Sequence, residues 1–180
     1  VYFVLLNSTY LVLFSAALVE TRKYLGRART VDLEEVFRSP LTPSISVLIP
    51  AYNEESVILE VTKAALSLRY PHFEVVVIND GSTDTTLDLL KREFNLQRVT
   101  RLNDCKVPCA IVEGVYISPE RENLVVVDKV KGGKADALNA GINVSMHDVI
   151  CVVDADSLVE PDALLKIARP FMERPEDTVA

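Results

Sequence analysis

Groups that build metal and disulfide frameworks are scarce in this chain. Its three cysteines, Cys105, Cys109 and Cys151, are an odd number with no CxxC pair, and the two histidines, His72 and His147, lie far from Cys105 and Cys109 in sequence. That spacing opposes a zinc site and a disulfide framework. A Cys105–Cys109 bridge would require a secreted setting, and a reduced cytosolic one is the simpler reading. Only 6 glycines and 9 prolines occur among 180 residues, and 49% of the chain is hydrophobic, so one domain with a real core is expected rather than disorder. No long basic run is present and the net charge is −7, which opposes nucleic-acid binding. An anionic ligand would need a metal or a few placed cations.

One long hydrophobic run is present. VYFVLLNSTYLVLFSAALV, Val1 to Val19, carries no charge, and a helix of that length spans about 28 Å against a hydrocarbon core of roughly 30 Å. A transmembrane helix is the first reading, with the polar triplet Asn7, Ser8 and Thr9 facing a partner helix. A buried core helix, or a signal peptide cleaved near Ser15-Ala16-Ala17, are the alternatives. Arg22, Lys23, Arg27 and Arg29 follow against the single acid Glu20. Positive loops stay on the cytoplasmic side, so residues 44–180 are expected in the cytoplasm, at the cell membrane. Residues 20–43, ending in SPLTP, read as an amphipathic connector and linker, with Leu33, Val36 and Phe37 at helical spacing on a docked or interfacial helix.

Beyond the linker, strand and helix patterns alternate. SVLIP (Ser46 to Pro50) precedes Val57, Val61, Ala64 and Leu68 at helical spacing, and FEVVVIND (Phe73 to Asp80) precedes Leu87, Leu90 and Phe94. The second of these helices is announced by Ser82, Thr83 and Asp84. NLVVVD (Asn123 to Asp128) leads to a helix from about Lys134 to Ser145; DVICVVD (Asp148 to Asp154), expected as a buried strand, leads to one opened by Pro161, with Leu164, Ala168 and Phe171 on one face. Four such units predict an α/β fold, a largely parallel sheet with helices on both faces. Residues 101–122 break the rhythm and read as a hairpin-like or irregular excursion.

In open sheets of this kind ligands bind outside the carboxyl ends of the strands. There the chain places AYNEE, NDGSTD, DKVKGGK and DADS. Each alone has a plain structural reading as a cap, a turn or a flexible loop; four converging on one edge point to a site. Asp154 and Asp156 share parity in an extended chain, so both carboxylates can address one spot. Hard cations such as Mg²⁺ or Mn²⁺ take such oxygens and fill the rest of the shell with water and phosphate. An EF-hand is excluded because Leu158, Val159 and Leu165 stand where that loop needs a ligand, a glycine and a glutamate. GGK (Gly132 to Lys134) is followed by Ala135 and lacks the upstream glycine of a phosphate-binding P-loop, and no GxGxxG follows the first strand.

IPAYNEE, VVINDGSTD, GGKADALNAG and DADS, in this order and spacing, resemble the N-terminal half of a family 2 glycosyltransferase with the GT-A nucleotide-sugar fold. With the hydrophobic segment ahead of them, they are most similar to membrane-bound processive synthases of the poly-N-acetylglucosamine, hyaluronan, chitin and cellulose type. The resemblance implies metal-dependent inverting transfer of a sugar from a UDP-sugar donor to a growing glycan, with Mg²⁺ or Mn²⁺ as cofactor. It assigns Ala51 and Tyr52 to the uracil ring, Glu54 to the nucleotide pocket, Asp80 to the base, Lys134 to the diphosphate or donor sugar, Asp154 to ribose or metal, and Asp156 to the metal. The family's catalytic base belongs to a later motif, expected beyond Ala180, and Glu176-Asp177 follows the aspartate pair too soon to supply it. With no initiator methionine and its last residue, Ala180, falling within the expected fold, the chain reads as a fragment of a longer synthase. A nucleotide-sugar-binding module without turnover, or a non-processive enzyme acting on a lipid or other small acceptor, are the alternative readings.

Overall fold

A computed structural model describes residues 2–28, 42–100 and 107–173. The positions of Leu33, Val36, Phe37, Cys105, Glu176-Asp177 and Ala180 lie outside the described residues. The chain divides into two compact units, 1–40 and 41–180.

Among the described residues the first unit contains the helix α1 (Tyr2–Ala28). Its stretch Tyr2–Arg22 is long and apolar enough to cross a membrane, with a mean hydropathy of 1.8. The helix is apolar all round rather than amphipathic: Phe3, Leu5, Tyr10, Val12 and Phe14 are all exposed. Asn7, Thr9 and Ser15 each donate a hydrogen bond within the helix. Asn7 Nδ2 donates to the Phe3 carbonyl at 2.7 Å, Thr9 Oγ1 to that of Leu5 at 2.9 Å and Ser15 Oγ to that of Leu11 at 2.8 Å. Such back-bonding lowers the cost of placing these groups in an apolar medium.

The second unit is a six-stranded sheet. Its strands are β1 (Ile45–Ala51), β2 (Phe73–Asp80), β3 (Gln97–Val99), β4 (Val112–Ile117), β5 (Leu124–Lys129) and β6 (Val149–Val152). The helices are α2 (Ile58–Leu66), α3 (Thr86–Glu93), α4 (Lys134–Val144) and α5 (Ala163–Glu173). The spatial order is β3-β4-β5-β2-β1-β6. Strands β5, β2, β1 and β6 are mutually parallel, while β4 pairs antiparallel with both of its neighbours, β3 and β5. The four expected strand–helix units thus form the parallel core, and the arrhythmic stretch contributes β4 beside β5.

Parity of side chains divides the core. Leu48, Val76 and Ile78 join Ala137, Ala140 and Val144 of α4 in one buried cluster. The helix comes close because Gly141 has no side chain: a Cβ there would lie 3.0 Å from Ile78 Cδ1 and 3.1 Å from Leu48 Cδ1. Val47, Ile49, Val75 and Val77, equally buried, face the other way, where α2 turns in Ile58, Val61 and Ala65.

Strand β6 departs from expectation. It ends at Val152 rather than Asp154, and ICVV is buried only in part: Val153 is buried, Ile150 and Cys151 are half-buried and Val152 is 46% exposed, β6 pairing only with β1 among the described residues. An edge strand has one ladder neighbour and correspondingly less cover, which a hydrophobicity pattern does not register. Cys109 and Cys151 are free thiols, and burial pushes the Cys151 thiol up from its ordinary pKa.

Candidate functional site at the strand ends

The parallel strands deliver their terminal residues to one edge, where a pocket of about 320 Å³ is lined by Ala51, Tyr52, Glu54, Asp80, Lys134, Asp154 and Asp156 among others. All seven residues singled out in the sequence therefore line one cavity, of a size suited to a small molecule. The catalytic base is expected beyond Ala180, outside the described residues, which end at Glu173.

The floor is built by two loops that clasp each other. Asn53, in the left-handed conformation at φ 56°, accepts the Thr83 amide on its Oδ1 at 2.8 Å, and its own amide donates to Ser82 Oγ at 3.0 Å. Glu54 N donates to Thr86 Oγ1 at 2.9 Å, and Glu55 Oε2 accepts from Thr85 Oγ1 at 2.7 Å. Much of the polarity in AYNEE and NDGSTD is therefore spent joining the loop after β1 to the start of α3. Asp84 serves here too: its Oδ1 accepts the Thr86 amide at 3.0 Å and its Oδ2 that of Glu55 at 3.2 Å.

Asp80, the last residue of β2, is 4% exposed and surrounded by donors. Its Oδ1 accepts from Lys129 Nζ at 2.6 Å and from Gly132 N at 2.9 Å, and its Oδ2 from Gly133 N at 2.7 Å. Burial alone would raise its pKa. The bonds from Lys129, Gly132 and Gly133 outweigh that effect and hold the carboxyl below the usual range. Gly81 lets the loop after β5 lie against this strand end, because its φ is 66° and a Cβ there would stand 2.7 Å from the Lys131 amide nitrogen.

Lys129 has no exposed surface. Its three ammonium protons are matched by Asp80 Oδ1, Asp136 Oδ2 and the Val130 carbonyl, each at 2.6 Å. Desolvation favours its neutral form, yet Asp136 and Asp80 overcome this and raise its pKa. Asp136, lowered chiefly by its bond from Lys129, also accepts the Ala110 amide at 3.0 Å.

Two further lysines reach the pocket. Lys134 Nζ meets Asp154 Oδ1 at 2.5 Å, and Lys131 Nζ stands 3.7 Å over the centre of the Tyr52 ring. Sequence reasoning missed Lys131, Lys129 and Asn53. The only signal was the density of polar residues in NDGSTD and DKVKGGK, which does not say which of them face inward.

Asp154 and Asp156 sit in a turn, closed by the Ser157 amide on the Asp154 carbonyl at 3.0 Å, and not on an extended strand. They address the same pocket by that turn rather than by strand parity. As a cation site the pair is chemically suitable. Asp154 already holds an ammonium, and Asp156 has among its hydrogen bonds only a 3.3 Å contact from Ser157 Oγ. Among the described residues no third acid or histidine joins them, so a metal held here would need phosphate and water for the rest of its shell.

The profile described as Glycosyltransferase like family 2 matches residues 43–180. The chain belongs to this family. The probable glycosyltransferase YdaM of Bacillus subtilis is 36% identical over 132 residues, covering 72% of this chain and 27% of that protein. The poly-beta-1,6-N-acetyl-D-glucosamine synthase of Staphylococcus epidermidis is 29% identical over 133 residues, covering 73% and 26%. The family 2 chain thus spans about a quarter of the length of these curated relatives. Glucosyl-3-phosphoglycerate synthase from Mycobacterium tuberculosis, solved with Mn²⁺, UDP and glucosyl-3-phosphoglycerate, shares the fold with a TM-score of 0.53 at 20% identity, over 79% of this chain and 44% of that one.

The carboxylate cluster sets an expected pH profile. Asp80, Asp84 and Asp136 have lowered folded-state pKa values, so their stabilisation is complete above the unfolded value of about 3.9 and is lost as pH falls through the folded values. Lys129 is raised, so its share is complete below about 10.4 and is lost as pH rises through its folded value. Thermal unfolding should give a plateau between these limits and an acid decline that Asp80→Asn reduces. An acid decline of the same size in that variant would exclude Asp80 as a source.

Proposed function

We propose that this chain is the donor-binding half of an enzyme that transfers a sugar from a UDP-sugar to a growing glycan, with a divalent cation. The observation that carries the reading is the convergence of Tyr52, Asp80, Lys134, Asp154 and Asp156 on one pocket at the carboxyl edge of the sheet in a family 2 chain. The synthase and the Mn²⁺- and UDP-containing enzyme among its relatives support it. Tyr52 offers an aromatic face to the base, Ala51 and Glu54 border the nucleotide, and Asp80 accepts from the base. The N-terminus of α4, capped by Gly133, presents amides and Lys134 toward an anion. Asp156 and Asp154 would hold Mg²⁺ or Mn²⁺, whose charge would stabilise the departing diphosphate.

Lys134 and Asp154 are both about half-exposed, and a surface ion pair of this kind is worth about 1 kcal/mol or less. Asp154 can therefore release the ammonium for a more highly charged ion, and Lys134 is then free for the diphosphate. Calorimetric titration should give UDP binding that strengthens with Mn²⁺. Asp156→Asn should reduce that metal-supported affinity by at least about tenfold, as loss of one ligand charge implies, with little change in unfolding. Equal Mn²⁺ and UDP affinity in the variant would remove the assignment.

The apolar helix α1 supports a membrane-anchored protein, and the basic residues after its span favour the donor-binding unit on the cytoplasmic side. Protease added to intact cells should leave residues 44–180 uncut and should cut them once the membrane is opened. Cleavage in sealed cells would reverse the orientation and separate the pocket from cytoplasmic nucleotide sugars.

A further inference from the structure

The Lys129 cluster is buried beside the pocket, and none of the roles given above uses it. Three separate segments meet on its ammonium: the end of β2 through Asp80, the first turn of α4 through Asp136, and its own β5 with the Val130 carbonyl. Asp136 extends the contact to residue 110 through the Ala110 amide. The backbone is shaped around the cluster as well: a Cβ on Gly132 would come within 2.3 Å of Asp136 Oδ2. A side chain at position 132 would collide with the carboxylate that Lys129 requires.

Asp80 also lines the pocket. With one oxygen receiving Lys129 Nζ and Gly132 N and the other receiving Gly133 N, the carboxylate cannot rotate without losing a donor, and the Lys129 charge beside it keeps its remaining Oδ2 lone pair unprotonated. Whatever it presents to the pocket is an acceptor lone pair.

We propose that Lys129 is a positioning residue that sets nucleobase selection, by holding Asp80 as a fixed, acceptor-only carboxylate that favours a base presenting an imino N–H, such as uracil, over cytosine. The corresponding ring nitrogen of cytosine is itself an acceptor, so it would face Asp80 lone pair to lone pair. The inference rests on the proposed function, in which Asp80 meets the base. The other titratable groups lining the pocket are Tyr52, Glu54, Lys131, Lys134, Asp154 and Asp156, and they remain unchanged in the variants below.

The test is calorimetric titration of the protein with UDP and with CDP, each in the presence of Mn²⁺. The unaltered protein should prefer UDP by at least about tenfold, as a hydrogen bond to a charged acceptor implies. Asp136→Asn retains Lys129 and should retain the preference. The double variant Lys129→Met/Asp136→Asn removes the cation together with the carboxylate it would strand, leaving Asp80 buried on two amides. Asp80 should then take up a proton, and the preference should fall to within about threefold near pH 6 and return near pH 8, where the uracil imino N–H is still in place. A merely structural role for Lys129 would weaken UDP and CDP alike and would not restore selectivity with pH. A folded double variant with the original preference at both pH values would overturn the proposal. If that variant does not fold, carboxyl ¹³C NMR of the unaltered protein decides: Asp80 should stay ionised from about pH 5 to 7, and a titration within that range would overturn the proposal. Failure of the unaltered protein to bind UDP at all would remove the functional reading, and this inference with it.

Discussion

A buried ammonium is tolerable in a protein interior only when its charge and all its protons are matched, and Lys129, with no exposed surface, meets that condition. The carboxylates of Asp80 and Asp136 answer its charge, and the Val130 carbonyl takes its third proton. Removing one partner from such a pair typically costs about 3–5 kcal/mol, because it leaves an uncompensated charge in a low-dielectric setting. The end of β2, the loop after β5 and the start of α4 are therefore fixed relative to one another, and the walls of the pocket inherit that rigidity.

Two other lysines from the same stretch are held far less firmly. Lys131 over Tyr52 is a cation–π contact of about 0.5–1 kcal/mol at an exposed ring, and Lys134 on Asp154 is a half-exposed ion pair worth no more. These ammoniums occupy the aromatic face proposed for the base and the carboxylate proposed for the metal. One segment, residues 129–134, thus combines an immovable cation with two displaceable ones. A ligand carrying its own base and cation can exchange with the latter while the frame stays in place.

The parallel core was legible because its strands are continuous apolar runs and its helices show a clean helical period; β2 falls on Phe73–Asp80, the span of the apolar run itself. Strand β4 was legible only as part of a hairpin-like or irregular excursion, since Val112–Ile117 includes Glu113 and Gly114 and buries just the adjacent Gly114 and Val115, with no period to mark a strand. The end of β6 was misplaced because an edge strand is recognised by its missing neighbour, which no local pattern records. At the site, strand-end positions collected the four polar segments and the Asp154 and Asp156 pair, and the family resemblance picked the seven pocket residues out of them. The roles of Asn53, Lys129 and Lys131 depend on contacts between residues far apart in sequence: 30 positions separate Asn53 from Thr83, 49 separate Asp80 from Lys129, and Tyr52 meets Lys131 across a still longer span. Periodicity carries no information about such pairings. The family resemblance named Asp80 but not the buried lysine that fixes it, and it assigned the catalytic base to a motif beyond Ala180, outside the pocket that these strands build.

On the proposed function, a nucleotide sugar and a divalent cation take the places now held by Lys131 and Lys134. A crystal structure of the protein with UDP and Mn²⁺ should show the uracil against Tyr52 with its imino N–H on Asp80, the metal on Asp156 with Asp154 beside it, Lys134 withdrawn toward the diphosphate, and Lys129 unmoved. UDP bound elsewhere, or bound with the Lys134–Asp154 pair intact and no metal on Asp156, would contradict it.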